Sequence, residues 1–394
     1  MRVLSRFISI FAGFALLSTA SHAQAPFIDP ADDQEHFGAP ENALFWTPEQ
    51  QVAGYRNADQ IFWTRTIRAG DTPLALSYAR RDLASVELNV GAETMSLDEY
   101  FIRQSVAGLL VIKDGEIVYE RYGLGNDENS RWISYSVAKS VTSLLIGAAV
   151  QDGYIESVDD AVTDYLPRLK GSAYDGASIA DLLHMASGVA WDENYADPNS
   201  DVATAPWETI DLYEFLREKS RVAPAGEAFN YNTAETNLAG TLLRSAIGNN
   251  LSTYLSEKIW RPFGMEADAS WNLTEPGGGE FGGCCINATL RDYGRLGLFA
   301  LANGRLQDGT QVLPANWMSQ STIPSQGFAG YGYLWWLEDG GVYSASGIFG
   351  QGIYIAPADN IVIALHSARP DASRPTDWAW QDALFESIVG ALQP

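Results

Sequence analysis

Cysteine and histidine are rare in this chain of 394 residues, and their rarity excludes several kinds of protein. The two cysteines are neighbours, Cys284 and Cys285, so an exported protein with this sequence does not depend on disulfides between distant segments. Adjacent cysteines rarely reach ordinary disulfide geometry. The sequence therefore leaves open whether this pair is reduced or joined as a vicinal disulfide.

Metal ligands and several familiar catalytic motifs are equally scarce. After the first residues the histidines are His36, His184 and His366, which lie far apart, and neither His-Glu-x-x-His nor Cys-x-x-Cys occurs. We therefore predict no metal site and no cofactor. Gly-x-Ser-x-Gly is also absent, which argues against the nucleophile elbow of α/β-hydrolases. His184, at a helix end, and His366, within an apolar strand, are interpreted as structural residues.

Positively charged residues are also few. Lysine and arginine together number 25 against 49 aspartates and glutamates, which gives a formal net charge of −24. A chain this acidic repels nucleic acid and anionic lipid surfaces, so we exclude both as partners. The acidity does not by itself indicate a substrate.

The one long hydrophobic run is at the N-terminus. Residues 1–23 contain Arg2 and Arg6, an apolar stretch from Phe7 to Leu17, and a small-x-small pattern that ends at Ala23. This pattern is typical of a cleaved signal peptide, and it predicts a periplasmic or secreted protein with no membrane contact after cleavage. The alternative is an N-terminal membrane anchor, but the apolar stretch is too short to span a bilayer comfortably.

Hydrophobic periodicity predicts strands towards both ends of the remaining chain and helices between them. "AGLLVIKDGEIVYERYG" alternates around Lys113-Asp114-Gly115 and predicts a β-hairpin. Near the other end, "VYSASG", "GIYIAP" and "IVIALHSA" are short β-branched runs, and a helical pattern follows them. Apolar residues spaced three and four apart predict helices in the middle, as in "TIDLYEFLREKS" and "ETNLAGTLLRSAIG".

These patterns predict an α/β (α+β) fold in which an antiparallel sheet flanked by helices is interrupted by a mostly helical domain. We expect the functional site at the junction of the two domains, where pockets commonly form. The expected organisation is a signal peptide at 1–23, an irregular N-terminal extension at 24–95, a sheet-containing α/β domain at 96–165 and 276–394, and a helical domain at 166–275.

One charged residue stands in the most apolar helical pattern of the chain. "ISYSVAKSVTSLLIGAAV", residues 133–150, predicts a buried helix, and Lys139 follows Ser136 by three positions, so the two side chains share a face. Burial lowers the pKa of an ammonium group, and a partly deprotonated lysine can accept the proton of a serine hydroxyl. The alternative is a lysine at a helix end whose ammonium group reaches solvent.

Further segments accompany this Ser-x-x-Lys element in a fixed order. They are "IADLLHMASGVAWDENYADPNSD", "PAGEAFNYNTAETNLAG", "FGGCCINATLRDYGRLGLFALANG" and "YGYLWW". Together with "YSVAKSVTSLLIGAAVQDGYI" they resemble the class C β-lactamase-like serine hydrolases, which include penicillin-binding proteins, family VIII carboxylesterases and nylon-oligomer (aminohexanoate-dimer) hydrolases. The resemblance covers roughly residues 96–394 and implies a β-lactamase/penicillin-binding-protein-like fold.

The resemblance also implies roles for individual residues. It makes Ser136 the nucleophile, Lys139 its proton-accepting partner and Tyr231 the catalytic tyrosine, whose pKa we take as ordinary. It places the oxyanion hole at the backbone N–H groups of Ser136 and Ile348. Tyr195 resembles a substrate-contacting tyrosine of the nylon-hydrolase branch.

Two motifs depart from the usual pattern of this superfamily. Thr233 stands where asparagine is common, and it lacks the amide fork that would bind a substrate amide. The third motif, usually Lys-Thr-Gly or His-x-Gly, is here Ala345-Ser346-Gly347, so the cation that would bind a substrate carboxylate is missing. Thr233 and Gly347 are predicted to contact substrate. Both departures argue against β-lactams and favour esters or uncharged amides.

The sequence therefore predicts an exported serine hydrolase of small esters or amides, whose partner is a small-molecule substrate. A D-amino-acid peptidase or a β-lactamase-type amidase is the alternative among enzymes. A catalytically silent binding protein on the same fold is the alternative of another class, although such a protein has no evident need for Ser136, Lys139 and Tyr231 together.

Overall fold

A computed structural model describes residues 27–372 and 374–393 of the chain. The predicted signal peptide at 1–23 lies outside the described residues. The strands, numbered in chain order, are β1 (Thr64–Ile67), β2 (Glu87–Val90), β3 (Glu93–Ser96), β4 (Val106–Lys113), β5 (Glu116–Tyr122), β6 (Arg131–Ile133), β7 (Ala269–Asn272), β8 (Ile286–Thr289), β9 (Trp336–Leu337), β10 (Tyr343–Ser346), β11 (Gly352–Ala356) and β12 (Ile361–Ser367).

The α-helices lie between and after these strands, and short 3-10 segments and one π-helical segment supplement them. They are α1 (Pro48–Arg56), α2 (Ala58–Ile61), α3 (Leu97–Arg103), α4 (Val137–Gln151), α5 (Val162–Tyr165), α6 (Ile179–Leu183), α7 (Asp201–Thr204), α8 (Thr209–Arg217), α9 (Thr233–Ile247), α10 (Leu251–Leu255), α11 (Arg261–Phe263), α12 (Leu290–Leu301), α13 (Trp317–Ser321) and α14 (Pro375–Leu392).

The main sheet is antiparallel and has the strand order β5-β4-β12-β11-β10-β9. The predicted hairpin forms β4 and β5, and the three late β-branched runs form β10, β11 and β12. The chain thus begins this sheet with one hairpin and completes it with strands from more than two hundred residues later.

Helices cover both faces of the main sheet, because its central strands are apolar on both sides. In β12, Val362 and Ala364 pack into the core that includes α4, α9 and α12. Its alternate residues Ile361, Ile363 and Leu365 pack into the core beneath α3 and α14. The predicted fold class, an antiparallel sheet flanked by helices, is confirmed.

A second sheet of four short antiparallel strands, ordered β1-β7-β8-β6, was not expected from the sequence. Its strand β1 comes from the segment predicted to be irregular, and β7 comes from the range predicted to be helical. Each strand has only three or four residues, too few for a periodic signal. The description of 24–95 as irregular is therefore wrong, while the proposed domain boundaries stay predictions.

The helix that carries Lys139 begins later than predicted. The pattern indicated a helix from residue 133, but Ile133 is the last residue of β6 and α4 starts at Val137. Ile133 pairs with Asn287 of β8, and this tertiary pairing overrides the local pattern. The residues between β6 and α4 form a tight turn that contains Ser136. Within residues 27–372 and 374–393, no helix is both long and apolar enough to cross a membrane.

The packing of α4 predicts the effect of one substitution. A Cβ atom at Gly147 would lie 2.6–2.8 Å from the indole ring of Trp317. Gly147→Ala should therefore lower the free energy of unfolding by about 1–3 kcal/mol through overpacking, although alanine favours helices over glycine by about 1 kcal/mol. The measurement is equilibrium unfolding in urea.

Gly390→Ala in α14 is the matched control, because nothing lies within 4 Å of a Cβ atom built at that position. This variant should be more stable than the wild type by about 0.5–1 kcal/mol. If both substitutions raised stability equally, the close packing of Trp317 on α4 would be wrong.

Candidate active site

Ser136 lies in the turn that joins β6 to α4. It occupies the N-cap position of α4, but its side chain caps no backbone N–H group of the helix. Tyr135 before it has φ of 43°, in the left-handed region that residues other than glycine seldom adopt. The rings of Tyr55 and Phe349 pack on Tyr135 with centroid distances of 5.2 and 4.9 Å. This packing holds Ser136 at the positive end of the helix dipole, where developing negative charge is stabilised.

Lys139 is buried beside Ser136, with 1% of its surface exposed. Its Nζ lies 3.0 Å from Ser136 Oγ, 3.0 Å from Thr233 Oγ1 and 2.9 Å from the Gly283 carbonyl oxygen. Burial lowers the pKa of Lys139 to about 8, and the nearby Glu193 carboxylate acts in the opposite direction. The alternative of a lysine that reaches solvent is therefore excluded.

The lowered pKa gives Lys139 two protonation states in the neutral range. A neutral amine has two N–H donors and one lone pair, whereas the ammonium group has three donors. In the neutral state the two donors suit Thr233 Oγ1 and the Gly283 carbonyl, and the lone pair can accept the proton of Ser136. The arrangement can thus generate a serine alkoxide without a histidine.

Tyr231 stands on the other side of this pair. Lys139 Nζ lies 5.2 Å from the centroid of its ring, and the ring stacks on Trp336 at 5.5 Å. Burial and the Glu193 charge raise the pKa of Tyr231, and its interaction with Ser136 opposes them. The expectation of an ordinary pKa is wrong, because the phenol is enclosed by aromatic rings. At neutral pH Tyr231 is protonated and suited to donate a proton.

Glu193 is the residue that the sequence analysis missed. Its carboxylate accepts hydrogen bonds from the Thr233 N–H at 3.0 Å and from the hydroxyl groups of Thr233 and Tyr195. The indole N–H of Trp191 donates to the same carboxylate. A hydrogen-bonded path therefore runs from Lys139 through Thr233 to Glu193. The motif "WDENYADP" drew attention only to its tyrosine, since a lone glutamate in a loop usually lies in solvent.

Two residues predicted to contact substrate are instead engaged within the protein. Thr233 bonds both Lys139 and Glu193, and the Tyr195 hydroxyl donates to Glu193. Their hydroxyl groups are therefore part of the support for Lys139. Contact of either residue with substrate stays a prediction.

The turn after β10 brings Ile348 to the segment before Ser136. A Cβ atom at Gly347 would lie 2.6 Å from the Ser134 carbonyl oxygen, so only glycine permits this close approach. None of the described residues accepts a hydrogen bond from the backbone N–H of Ser136 or of Ile348. Both donors are thus available to an oxyanion, as the sequence-based assignment requires.

The cysteine pair lies immediately after the residue that bonds Lys139. In the structure Cys284 and Cys285 form a vicinal disulfide; Cys285 belongs to the apolar cluster that contains Ile348, and Cys284 packs against that cluster. Gly283 has room for no side chain, because a Cβ atom would lie 2.8 Å from the Thr233 carbonyl oxygen. Gly282 and Gly283 thus pass between α4 and α9 at the level of Lys139.

The remaining histidines take no part in this constellation. His366 lies in the core between the rings of Trp132 and Tyr293, where burial lowers its pKa to about 3. His184 packs on Tyr333 at 4.6 Å, and burial lowers its pKa. His366 is therefore a core residue, and His184 is half-buried. Among the described residues no cluster of three or more His, Cys, Asp or Glu side chains is placed to hold a metal ion.

Residues 99–385, well over half of the chain, match the family model named Beta-lactamase. This chain belongs to the β-lactamase family. It is similar to the 6-aminohexanoate-dimer hydrolase of Paenarthrobacter ureafaciens, with 29% identity over 356 residues, 82% of this chain and 90% of that protein. As a family member it is a serine hydrolase of amides or esters.

Solved structures of β-lactamase-family proteins share the fold. A Bacillus anthracis protein provisionally assigned as a 6-aminohexanoate-dimer hydrolase has a TM-score of 0.78 at 23% identity, and the match covers 87% of this chain and 94% of that one. The class C β-lactamase of Rhodobacter sphaeroides has a TM-score of 0.55 at 15% identity, covering 75% and 98%. The predicted resemblance and fold are thereby confirmed.

The position of Glu193 in this β-lactamase-family site predicts a shift in pH dependence. Its charge raises the pKa of Lys139, so Glu193→Gln should lower that pKa further. The rise of kcat/KM with pH, which reports ionisations of the free enzyme, should then occur at lower pH than in the wild type. Glu193→Asp, which keeps the charge, should move the profile less.

Exposed Glu99, which pairs with Arg103 on α3, provides the control substitution Glu99→Gln, and its profile should match that of the wild type. An unchanged profile in Glu193→Gln, or a shift to higher pH, would show that Glu193 does not act electrostatically on Lys139.

Proposed function

We propose that the protein is an exported serine hydrolase that cleaves small esters or linear amides through an acyl-enzyme on Ser136. The observation that carries this proposal is the contact of 3.0 Å between Lys139 Nζ and Ser136 Oγ inside the protein. A buried amine with a pKa of about 8 can accept a proton near neutral pH. The expected oxyanion donors and a protonated phenol complete the set of groups that acyl transfer needs.

Acylation begins with attack of Ser136 Oγ on the carbonyl carbon of the substrate. The O–C bond forms as the hydroxyl proton moves to the lone pair of Lys139, and the carbonyl oxygen becomes an oxyanion. The N–H groups of Ser136 and Ile348 bind that oxyanion, and one such donor contributes about 3 kcal/mol to the transition state. The helix dipole of α4 acts in the same direction.

The tetrahedral intermediate collapses when the leaving group receives a proton. Tyr231 is protonated and donates to the departing alkoxide or amine as the bond to the acyl carbon breaks. The ammonium group of Lys139 returns a proton to Tyr231, so both residues regain their starting states. Water then attacks the acyl-enzyme by the same steps, and Ser136 Oγ leaves with the proton that the water supplied.

The charged groups near Ser136 disfavour an anionic acyl group. The third motif supplies no cation at Ala345-Ser346-Gly347, and Lys139 is buried rather than presented to a substrate carboxylate. The Glu193 carboxylate adds negative charge, which disfavours anionic substrates further. The relative from Paenarthrobacter ureafaciens is named for the hydrolysis of a 6-aminohexanoate dimer, which supports linear amides beside esters.

Export is part of the proposal and is supported by the pattern of residues 1–23. When the full chain is expressed in a bacterium, we expect the protein recovered from the periplasm or the medium to begin near residue 24, as measured by intact mass. A full-length product in the cytoplasm or in the membrane would contradict export.

The hydrolase assignment is tested with a substrate panel. Wild type and Ser136→Ala are incubated with p-nitrophenyl acetate and butyrate, a linear aminohexanoate dimer and nitrocefin. We expect the wild type to hydrolyse the esters, to hydrolyse the dimer more slowly and to leave nitrocefin nearly untouched. Ser136→Ala should reduce kcat by about a thousandfold or more, because the nucleophile is lost.

Ser143→Ala is the matched control, because Ser143 is a buried serine of the same helix whose hydroxyl bonds none of the described residues. Its activity should equal that of the wild type. If Ser136→Ala were as active as the wild type, Ser136 would not be the nucleophile. Efficient turnover of nitrocefin would indicate a β-lactamase instead, and a wild type that neither turns over nor reacts with a fluorophosphonate would be a binding protein.

A further inference from the structure

Most backbone N–H groups of the turn between β10 and β11 are bonded within the protein, but that of Ile348 is not. The Gly347 N–H donates to the Gln351 carbonyl oxygen at 2.8 Å, and the Gly350 N–H donates to the Gly347 carbonyl oxygen at 3.0 Å. The Phe349 N–H donates to Gln351 Oε1 at 3.2 Å. The remaining two N–H groups of the turn, those of Ile348 and Gln351, find no acceptor among the described residues, and of these Ile348 is the one assigned to the oxyanion hole.

Gln351 accepts two of those three hydrogen bonds, one through its backbone and one through its side chain. The residue is fully buried, and its Nε2 donates to the Ser367 carbonyl oxygen at the end of β12 at 3.1 Å. The Phe349 carbonyl oxygen accepts a hydrogen bond of 3.0 Å from the Arg369 N–H, just beyond that strand end. The side chain of Gln351 therefore ties the turn to the main sheet.

The same carbonyl group also anchors the strand that leads to Ser136. The indole N–H of Trp132 in β6 donates to the Ser367 carbonyl oxygen at 3.1 Å. Ser367 thus receives one hydrogen bond from the strand before the nucleophile and one from Gln351. The Ser367 carbonyl group therefore fixes two segments relative to the main sheet. They are β6, which leads to Ser136, and the turn that contains Ile348.

We propose that Gln351 is a positioning residue for the oxyanion hole, because it takes up the neighbouring donors of the turn and leaves the Ile348 N–H for the substrate oxygen. The proposal rests on the proposed function, in which that N–H stabilises an oxyanion. Gln351 contacts no reacting atom and acts through the backbone of Ile348. Its effect should therefore appear in the transition state rather than in substrate binding.

The test is Gln351→Met, which keeps the length of the side chain and removes both hydrogen bonds that it makes. With p-nitrophenyl butyrate we expect kcat to fall by about ten- to hundredfold. This is no larger than the fall in kcat when an oxyanion donor itself is removed. KM should change by less than about twofold, since the interaction belongs to the transition state. A boronic acid that forms a tetrahedral adduct with Ser136 should bind more weakly by a factor similar to the fall in kcat.

Gln51→Met is the matched control, because Gln51 is also a buried glutamine and lies on α1. It should retain the kcat, KM and boronic acid affinity of the wild type, even if both variants lose thermal stability. A Gln351→Met enzyme with the kcat of the wild type would overturn the proposal. So would equal losses in kcat and boronic acid affinity in both variants, because they would reflect a general effect of buried glutamines.

Gln351→Glu serves if the methionine variant does not fold, because it preserves volume and the acceptor for Phe349 while it removes the donor to Ser367. It should lower kcat as well, since two oxygen atoms then face each other. In the wild type, hydrogen exchange should be slower at the Phe349 amide than at the Ile348 amide. The opposite order would show that the side chain of Gln351 does not hold the turn through the Phe349 N–H.

Failure of the proposed function gives a different result. If the wild type neither hydrolyses the esters nor binds the boronic acid, the function is wrong, and amide exchange still decides whether Gln351 holds the turn. Faster exchange at the Phe349 amide in Gln351→Met than in the wild type would confirm that Gln351 holds the turn, but not that the turn serves catalysis. Unchanged exchange would refute it.

Discussion

The burial of Lys139 next to Ser136 is the constraint on which the site depends. The pKa of this lysine falls from 10.5 to about 8, a change that corresponds to roughly 3 kcal/mol. The cost arises because α4, α9 and the segment around Gly283 enclose the amine. Thr233 and Gly283 offer acceptors that hold the amine in one place. The result is a base of suitable strength, fixed at hydrogen-bonding distance from the nucleophile.

The site is assembled from segments that are distant in sequence. The nucleophile and its base come from the start of α4, Thr233 from the start of α9, Glu193 from the loop after α6, and Ile348 from the turn of the main sheet. Most of these residues lie at the end of a helix or strand, where backbone groups are free to bond side chains or substrate. The cores on both faces of the main sheet hold these segments in fixed positions relative to one another.

The sequence predicts the parts of this arrangement whose signals are local. The hairpin, the late strands and the Ser136–Lys139 spacing all follow from periodicity and turn chemistry, and the order of the motifs indicates the family. Glu193 could not be found in this way, because its importance comes from what a loop meets after folding. The strands of the second sheet are too short to leave a pattern. The pKa of Tyr231 depends on aromatic rings from other segments, so no local signal predicts it.

The central claim is that burial lowers the pKa of Lys139 enough to leave part of it neutral near physiological pH, and direct titration of its amine tests that claim. The chain has only five lysines, so ¹³C-labelled lysine gives a spectrum in which Lys139→Met identifies the signal of Lys139. Following that signal from pH 6 to pH 11 gives its pKa without any assumption about substrate. We expect a midpoint near 8. A midpoint at the ordinary lysine value of about 10.4 would mean that the amine is charged during catalysis, and Lys139 would not be the base.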